Sequence, residues 1–399
     1  MYRFLALAAA ALLTVSPAFA APRLERVVLV MRHGVRPPTQ SNADLAKYAD
    51  KPWPDWPVAP GELTPHGGET VRLMGESVRD AYRHERLLPA SGCAPAGQVT
   101  VWADGADERT QKTGSILAEA LAPGCGLKAD WKVETPRDPI FGGAESNVCK
   151  QDPDKAKTES AAALAGPAGQ LPITAATQRL QSIFAPNACS GGAGTCFAPS
   201  GTPANSPFPA SAGLAEDILL EYADGKPMSD VGWGRVSAAD IDAIMPIHER
   251  AFAIIRNEPG LSASRGAQMA RVILGALAGG AVSGGPQSGP DLKLLGLAGH
   301  DTNLVLMASV FGLEWTLPDQ PDSTAPSTVL AFELWSDGGK EYVRPVLFYE
   351  TLDQLRSLKP DRASELPLAF KDCASGPMGS CPVEEIRRRV EAELPANCL

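Results

Sequence analysis

The chain has 399 residues, 44% of them hydrophobic, with 36 basic against 46 acidic side chains and a formal net charge of −10. That is enough apolar material for one large domain or two. The acidic balance argues against nucleic acid or an anionic membrane as the main partner, so an anionic ligand would need a locally positive pocket.

The first twenty residues read as a leader. Arg3 is a minimal basic start, Phe4 to Val15 is a short apolar run, and Ala18-Phe19-Ala20 is a small-x-small cleavage site, which would leave Ala21 as the new amino terminus. The run is shorter than the roughly 20 apolar residues that a bilayer span needs. The expected location is therefore periplasmic or secreted, with no membrane segment.

Val27 to Met31 is a continuous, valine-rich apolar run, the pattern of a parallel strand buried on both faces. It ends abruptly in Arg32-His33-Gly34-Val35-Arg36-Pro37-Pro38. Residues 39–62, rich in Pro and Trp, predict an irregular loop. Gly68 to Leu87 has helical periodicity, with Val71, Met74, Val78, Ala81 and Tyr82 on one face. A short strand is expected over Gln98 to Ala103 and a helix over Asp107 to Leu121, ending before Pro123-Gly124.

From about 150 to 215 the composition shifts to Ala, Ser, Pro and Gly. Leu214–Tyr222, Ala238–Ile255 and Ser262–Ala278 then read as helices. Residues 278–290 form a Gly-rich loop, to which no phosphate-cradling role is assigned. A strand returns at Leu292–Ala298, followed by Gly299-His300-Asp301 and a helical stretch from Asn303 to Phe311. Thr328–Trp335 and Val343–Tyr349 alternate as strands and predict a hairpin across Asp337-Gly338-Gly339. The order is α/β, then helical, then α/β.

Eight cysteines (Cys93, Cys125, Cys149, Cys189, Cys196, Cys373, Cys381 and Cys398) fit an oxidising compartment. Cys189 with Cys196 and Cys373 with Cys381 are local candidates for pairing. The remaining connectivity stays open at this point. No C-x-x-C pair is present, which weakens a zinc or thioredoxin-like reading.

In open α/β sheets, ligands bind outside the carboxyl ends of the strands. Two strands here end in chemistry, and they hold two of the five histidines. Arg32 and Arg36 are forked donors suited to phosphate or carboxylate. Gly34 would let the backbone turn and approach a ligand. A histidine between arginines has its pKa pushed down and stays neutral and nucleophilic in mild acid, able to form a phosphohistidine. Asp301 is an acid of the right kind to protonate a leaving oxygen. Taken singly, His33 reads as a packing residue and Asp301 as a helix cap. It is their joint occurrence after two apolar strands that points to a site.

At these residues the chain resembles the histidine acid phosphatase family, branch 2 of the histidine phosphatase superfamily. That family carries R-H-G-x-R-x-P after its first strand and H-D late in the chain, here Arg32 to Pro38 and His300-Asp301. Further stretches are similar to its bacterial periplasmic phytase and acid phosphatase group: "WPVAPGELTPHGGE" (56–69), "ADERTQKTG" (106–114), "VGWGRV" (231–236), "AGHDTNL" (298–304) and "EWTLPDQPDSTAP" (314–326).

The resemblance implies a mainly parallel central sheet flanked by helices, with a smaller helical insertion. We take residues 21–140 and 262–399 as the α/β catalytic domain and 141–261 as the insertion. It implies His33 as nucleophile, Asp301 as general acid, and Arg32, Arg36, Arg109 and His300 as phosphate ligands. Thr302, His248 and Gln40 would lie near the substrate. It implies pairing of Cys93 with Cys125, Cys149 with Cys398, Cys189 with Cys196 and Cys373 with Cys381. It implies no metal and no cofactor, and a monomer acting on small phosphate esters. His66 and His84 receive no role.

One position departs from the phytase group, which commonly carries a lysine where this chain has Gln40. Lys47 and Lys51 are the other cations of that loop. The expected activity is phytase, with broad acid phosphatase or glucose-1-phosphatase as the alternative. An exported phosphate-ester binding protein without turnover is the non-catalytic rival. A mutase-like phosphotransferase is disfavoured by the leader and by an aspartate where mutases use glutamate.

Overall fold

Along the first strand, alternate side chains enter two different cores. Val27, Leu29 and Met31 pack with Val71, Met74, Val78 and Leu117. Val28 and Val30 pack on the opposite face with Leu297, Leu304, Val305 and Phe332. Strand side chains alternate in direction, so an unbroken apolar run requires cover on both faces. The computed structural model describes residues 21–133, 137–143, 148–149, 152–197, 210–281 and 285–395. The leader and Cys398 lie outside them.

In chain order, β1 (Arg23–Arg32) is followed by α1 (Asn42–Leu45), α2 (Pro65–His84), β2 (Val99–Asp104), α3 (Glu108–Leu121) and β3 (Ala129–Lys132). Helices come next: α4 (Pro153–Ala165), α5 (Thr174–Phe184), α6 (Ala210–Ala223), α7 (Ala238–Ile244), α8 (Pro246–Arg256) and α9 (Pro259–Leu277). The chain then returns through β4 (Leu294–Gly299), α10 (Asp301–Phe311), β5 (Val329–Asp337) and β6 (Lys340–Tyr349). It closes with α11 (Leu352–Ser357), β7 (Ser364–Pro367), β8 (Cys381–Pro382) and α12 (Val383–Glu393).

The sheet order is β3-β2-β4-β1-β5-β6-β7, with β8 paired to β6. Pairing is parallel from β3 to β1 and antiparallel beyond it. The antiparallel half follows from the β5–β6 hairpin, whose turn places Gly338 and Gly339 at φ +56 and +80, a region that favours glycine. From β1 the chain leaves toward β2 over one face of the sheet, and from β4 it leaves toward β5 over the other. The carboxyl ends of β1 and β4 therefore lie where the connections part.

The helical part has its own core. Leu180, Ile183, Phe184, Ile218, Leu219, Ile241 and Ile247 pack there with Leu45, Ala49 and Trp53 from the loop after β1. That loop is not wholly irregular. Ser41 caps α1 by accepting from the Asp44 amide at 3.2 Å, and Trp53 donates to the Leu45 carbonyl at 3.0 Å. The single helix expected over Ala238–Ile255 is two helices that meet at Met245. Pro246 lacks the N–H that would continue the first helix and instead starts the second. Helix α2 starts three residues earlier than its periodicity implied, because the Thr64 hydroxyl accepts from the Gly67 amide at 2.8 Å and Pro65 occupies its first turn.

Three disulfides join Cys93 to Cys125, Cys189 to Cys196 and Cys373 to Cys381. Cys149 is disulfide-bonded too. Among the described residues no helix is long and apolar enough to cross a membrane.

Two carboxyls are buried in an unusual state. Burial pushes Glu221 on α6 up to about 8, although the Gly232 amide donates to it, and burial alone does the same to Glu350 at the end of β6. The folded chain keeps both protonated up to about pH 8, whereas exposed in the unfolded chain they ionise near 4.5. Folding therefore holds extra protons in that window, and the stability they contribute is lost as pH rises through it. Replacing both by Gln should flatten the fall of Tm between those pH values in melting curves. An unchanged slope would show that the two carboxyls are ionised in the fold.

Candidate active site

The β1–β4 register sets Met31 opposite Ala298 and Arg32 opposite Gly299. The next residue on each strand is a histidine. The His33 and His300 rings consequently meet edge to face, with centroids 5.6 Å apart. The His33 backbone is pinned on both sides: its amide donates to Gly299 at 2.9 Å and its carbonyl accepts from Ser327 at 3.1 Å.

The ring of His33 is buried, with Nδ1 2.8 Å from the Gly34 carbonyl. A carbonyl only accepts, so Nδ1 carries the proton and Nε2 keeps its lone pair. Burial, and then the charges of Arg109, Arg36 and Arg32, hold the imidazole well below its ordinary range. Gly34 itself is required by a protein contact. A Cβ there would lie 2.2 Å from the Gly67 carbonyl oxygen, and one at Gly67 would lie 2.2 Å from that of Val35. The motif loop and the first turn of α2 touch backbone to backbone.

Arg32 is completely buried. It donates to Asp322 at 2.8 Å, to the Thr324 carbonyl at 2.5 Å and to Glu216, and Asp301 lies 3.3 Å from it. Burial works against its charge, but Asp301, Glu216 and Asp322 more than offset that and raise its pKa. Arg36 reaches Glu216 at 3.4 Å. Arg109 donates to Asp107 at 3.0 Å and to the Gly61 carbonyl at 3.3 Å, and its other amino group lies 3.5 Å from His300 Nδ1. Arg32, Arg36 and Arg109 each also bury an Nε–H that has no partner among the described residues.

His300 is held from behind. Its Nε2 is 2.8 Å from the carboxylate of Asp104, which ends β2 and is fully buried. Burial would raise Asp104, but His300 and Arg137 lower it. The His300 amide donates to Asn303 at 2.9 Å, which starts α10. Asp301 follows in the first turn, where one carboxylate oxygen accepts from the Thr302 amide at 2.6 Å and the other faces Arg32. Arginines 32, 36 and 109, both strand-end histidines and Asp301 thus gather in one place.

The other expected residues are distributed differently. Thr302 is half-buried beside Asp301, and Gln40 is exposed. His248 is buried, meets Phe252 edge to face with centroids 4.3 Å apart, and has Nε2 3.8 Å from Asp322. Burial lowers its pKa, but Asp322, Glu216 and Glu249 outweigh it and the net direction is up. His66 is 2.7 Å from the Leu355 carbonyl and His84 is exposed.

Several participants went unread in the sequence: Asp104, Asp107, Arg137, Glu216 and Asp322. A signal existed for two of them. Asp104 closes an apolar strand just as His33 and His300 do, and Glu216 is a carboxylate inside the apolar run of α6. Two groups of ligand-type atoms lie close together, Asp104 with Asp107 and His300, and Glu216 with His248 and Asp322. Each already faces a guanidinium, Arg137 and Arg32 respectively.

The model of the histidine phosphatase superfamily (branch 2) matches residues 23–164. The chain is 31% identical to phytase AppA of Escherichia coli (strain K12), covering 94% of both chains. It is 24% identical to a glucose-1-phosphatase of Providencia rettgeri, covering 92% of this chain and 90% of that one. The fold is similar to that of Hafnia alvei phytase in complex with myo-inositol hexakis sulphate, with TM-score 0.84, 30% identity, and coverage of 96% and 99%.

The His33 environment makes a titration outcome specific. An NMR titration should find its ring neutral well below pH 6.5, with Nδ1 protonated. A midpoint near 6.5 would mean that neither burial nor the arginines act on it.

Proposed function

This chain belongs to branch 2 of the histidine phosphatase superfamily, and from that premise we propose that it is an exported acid phosphomonoesterase with inositol hexakisphosphate as its leading substrate. The observation that carries the reading is a set of three arginines, each with a buried Nε–H that has no partner among the described residues, around a histidine kept neutral. Buried donors without acceptors are costly, and a phosphoryl group supplies the acceptors.

His33 Nε2 attacks phosphorus, and the bond from phosphorus to the ester oxygen breaks as the new P–N bond forms. Asp301, as general acid, gives a proton to the departing oxygen, which leaves as an alcohol. Arg32, Arg36, Arg109 and His300 hold the phosphoryl oxygens, where charge accumulates. A water then attacks the phosphohistidine and yields its proton to Asp301. The P–N bond breaks, and inorganic phosphate and the starting enzyme result.

The phytase reading draws on the 31% identity to phytase AppA and on the fold likeness to a phytase. A smaller ester is favoured by one residue, because exposed Gln40 offers no charge where the phytase group commonly has lysine. Export is supported by the disulfides and by the leader-like residues 1–20.

Phosphate release at acidic pH in EDTA should give the highest kcat/KM with inositol hexakisphosphate, above glucose-1-phosphate and p-nitrophenyl phosphate. A poor rate on the hexaphosphate with good rates on the others would reassign the chain to sugar or general phosphatases. Asp301→Asn should slow esters of poor leaving groups by roughly 10²–10⁴-fold, and p-nitrophenyl phosphate far less. Equal slowing of both would remove Asp301 from the acid role.

A further inference from the structure

We infer that Arg137 is a positioning residue that holds Asp104 and Asp107 in the geometry that presents His300 and Arg109 to phosphate. The inference rests on the phosphatase reading above. Arg137 follows β3 and does not contact His33. Its Nε is 3.1 Å from Asp104, and its Nη2 donates to Asp107. One guanidinium therefore bridges two carboxylates that come from different places, Asp104 at the end of β2 and Asp107 at the start of α3.

Each carboxylate has a second duty. Asp104 accepts His300 Nε2 at 2.8 Å, which leaves His300 Nδ1 facing Arg109. Asp107 accepts Arg109 Nη1 at 3.0 Å and also lies 3.5 Å from His300 Nε2. Two anions thus stand directly behind two anion ligands. Without a cation of their own, Asp104 and Asp107 would draw on His300 and Arg109 for neutralisation and set negative charge against the bound phosphate. Arg137 supplies that cation. It is 28% exposed, while Asp104 is fully buried, so it closes the network from the solvent side. The planar fork matters as much as the charge, because two separate carboxylates must be spanned at once.

The role predicts a split between binding and turnover. Arg137→Gln should raise the inhibition constant for inorganic phosphate, and the KM for p-nitrophenyl phosphate, by roughly tenfold, the scale of a unit charge removed at a few ångströms in a partly screened site. kcat should change far less, since His33 and Asp301 are untouched. Arg137→Lys restores the charge without the fork and should fall between the two. Unchanged phosphate inhibition in Arg137→Gln, or a loss of kcat with phosphate inhibition intact, would overturn the inference. If the Gln variant does not fold, the Lys variant decides alone, and wild-type phosphate inhibition there would be equally fatal. Phosphate binding by calorimetry keeps the two readings apart. A wild type that turns over no ester defeats the phosphatase reading, whereas a wild type that turns over normally beside an unperturbed Arg137→Gln defeats only the role of Arg137.

Discussion

The site depends on keeping a charged guanidinium, Arg32, in a place from which water is excluded. A buried ion without partners costs several kcal/mol even after relaxation. Three carboxylates meet that demand, and they come from three distant segments: Glu216 on α6, Asp301 at the start of α10 and Asp322 in the loop beyond it. The same contacts tie the helical part of the chain to the carboxyl edge of the sheet. They also fix the Asp301 carboxyl, because one of its oxygens faces Arg32 while the other accepts from the first turn of α10.

The histidines are treated in opposite ways. His33 faces three arginines and a carbonyl, so its ring is kept neutral. His248 lies among carboxylates and is pushed the other way. His300 has Asp104 at Nε2 and Arg109 at Nδ1. In a chain with net charge −10, the cations gathered here are paired with carboxylates, and Arg32, Arg36 and Arg109 each keep a buried Nε–H without a partner among the described residues.

This arrangement bears on what the pocket selects. The positive charge that acts on His33 comes from Arg109, Arg36 and Arg32. Gln40, by contrast, is exposed and uncharged. Arg137 is engaged with Asp104 and Asp107. It strengthens the inner ligands through those carboxylates and does not extend the pocket outward.

Much of this was legible in the residues themselves. A valine-rich run ending in Arg32-His33-Gly34 and a second ending in His300-Asp301 place chemistry at strand ends, since apolar periodicity and strand polarity are local properties. The hairpin over Gly338-Gly339 is local in the same sense. What local patterns leave open is how distant segments pair in detail. That β1 lies beside β4 in the register that sets His33 against His300 is a fact of topology. Gly34 looked like a ligand contact and proves to be a seat for Gly67, because close approach of two backbones leaves no mark on either segment alone. Asp104, Glu216, Asp322 and Arg137 are ordinary charged residues in the sequence. Their identity determines only that each must find an opposite charge if buried. Which charge each finds is decided by the tertiary structure, because ion pairing is a matter of distance and the partners lie up to 290 residues apart.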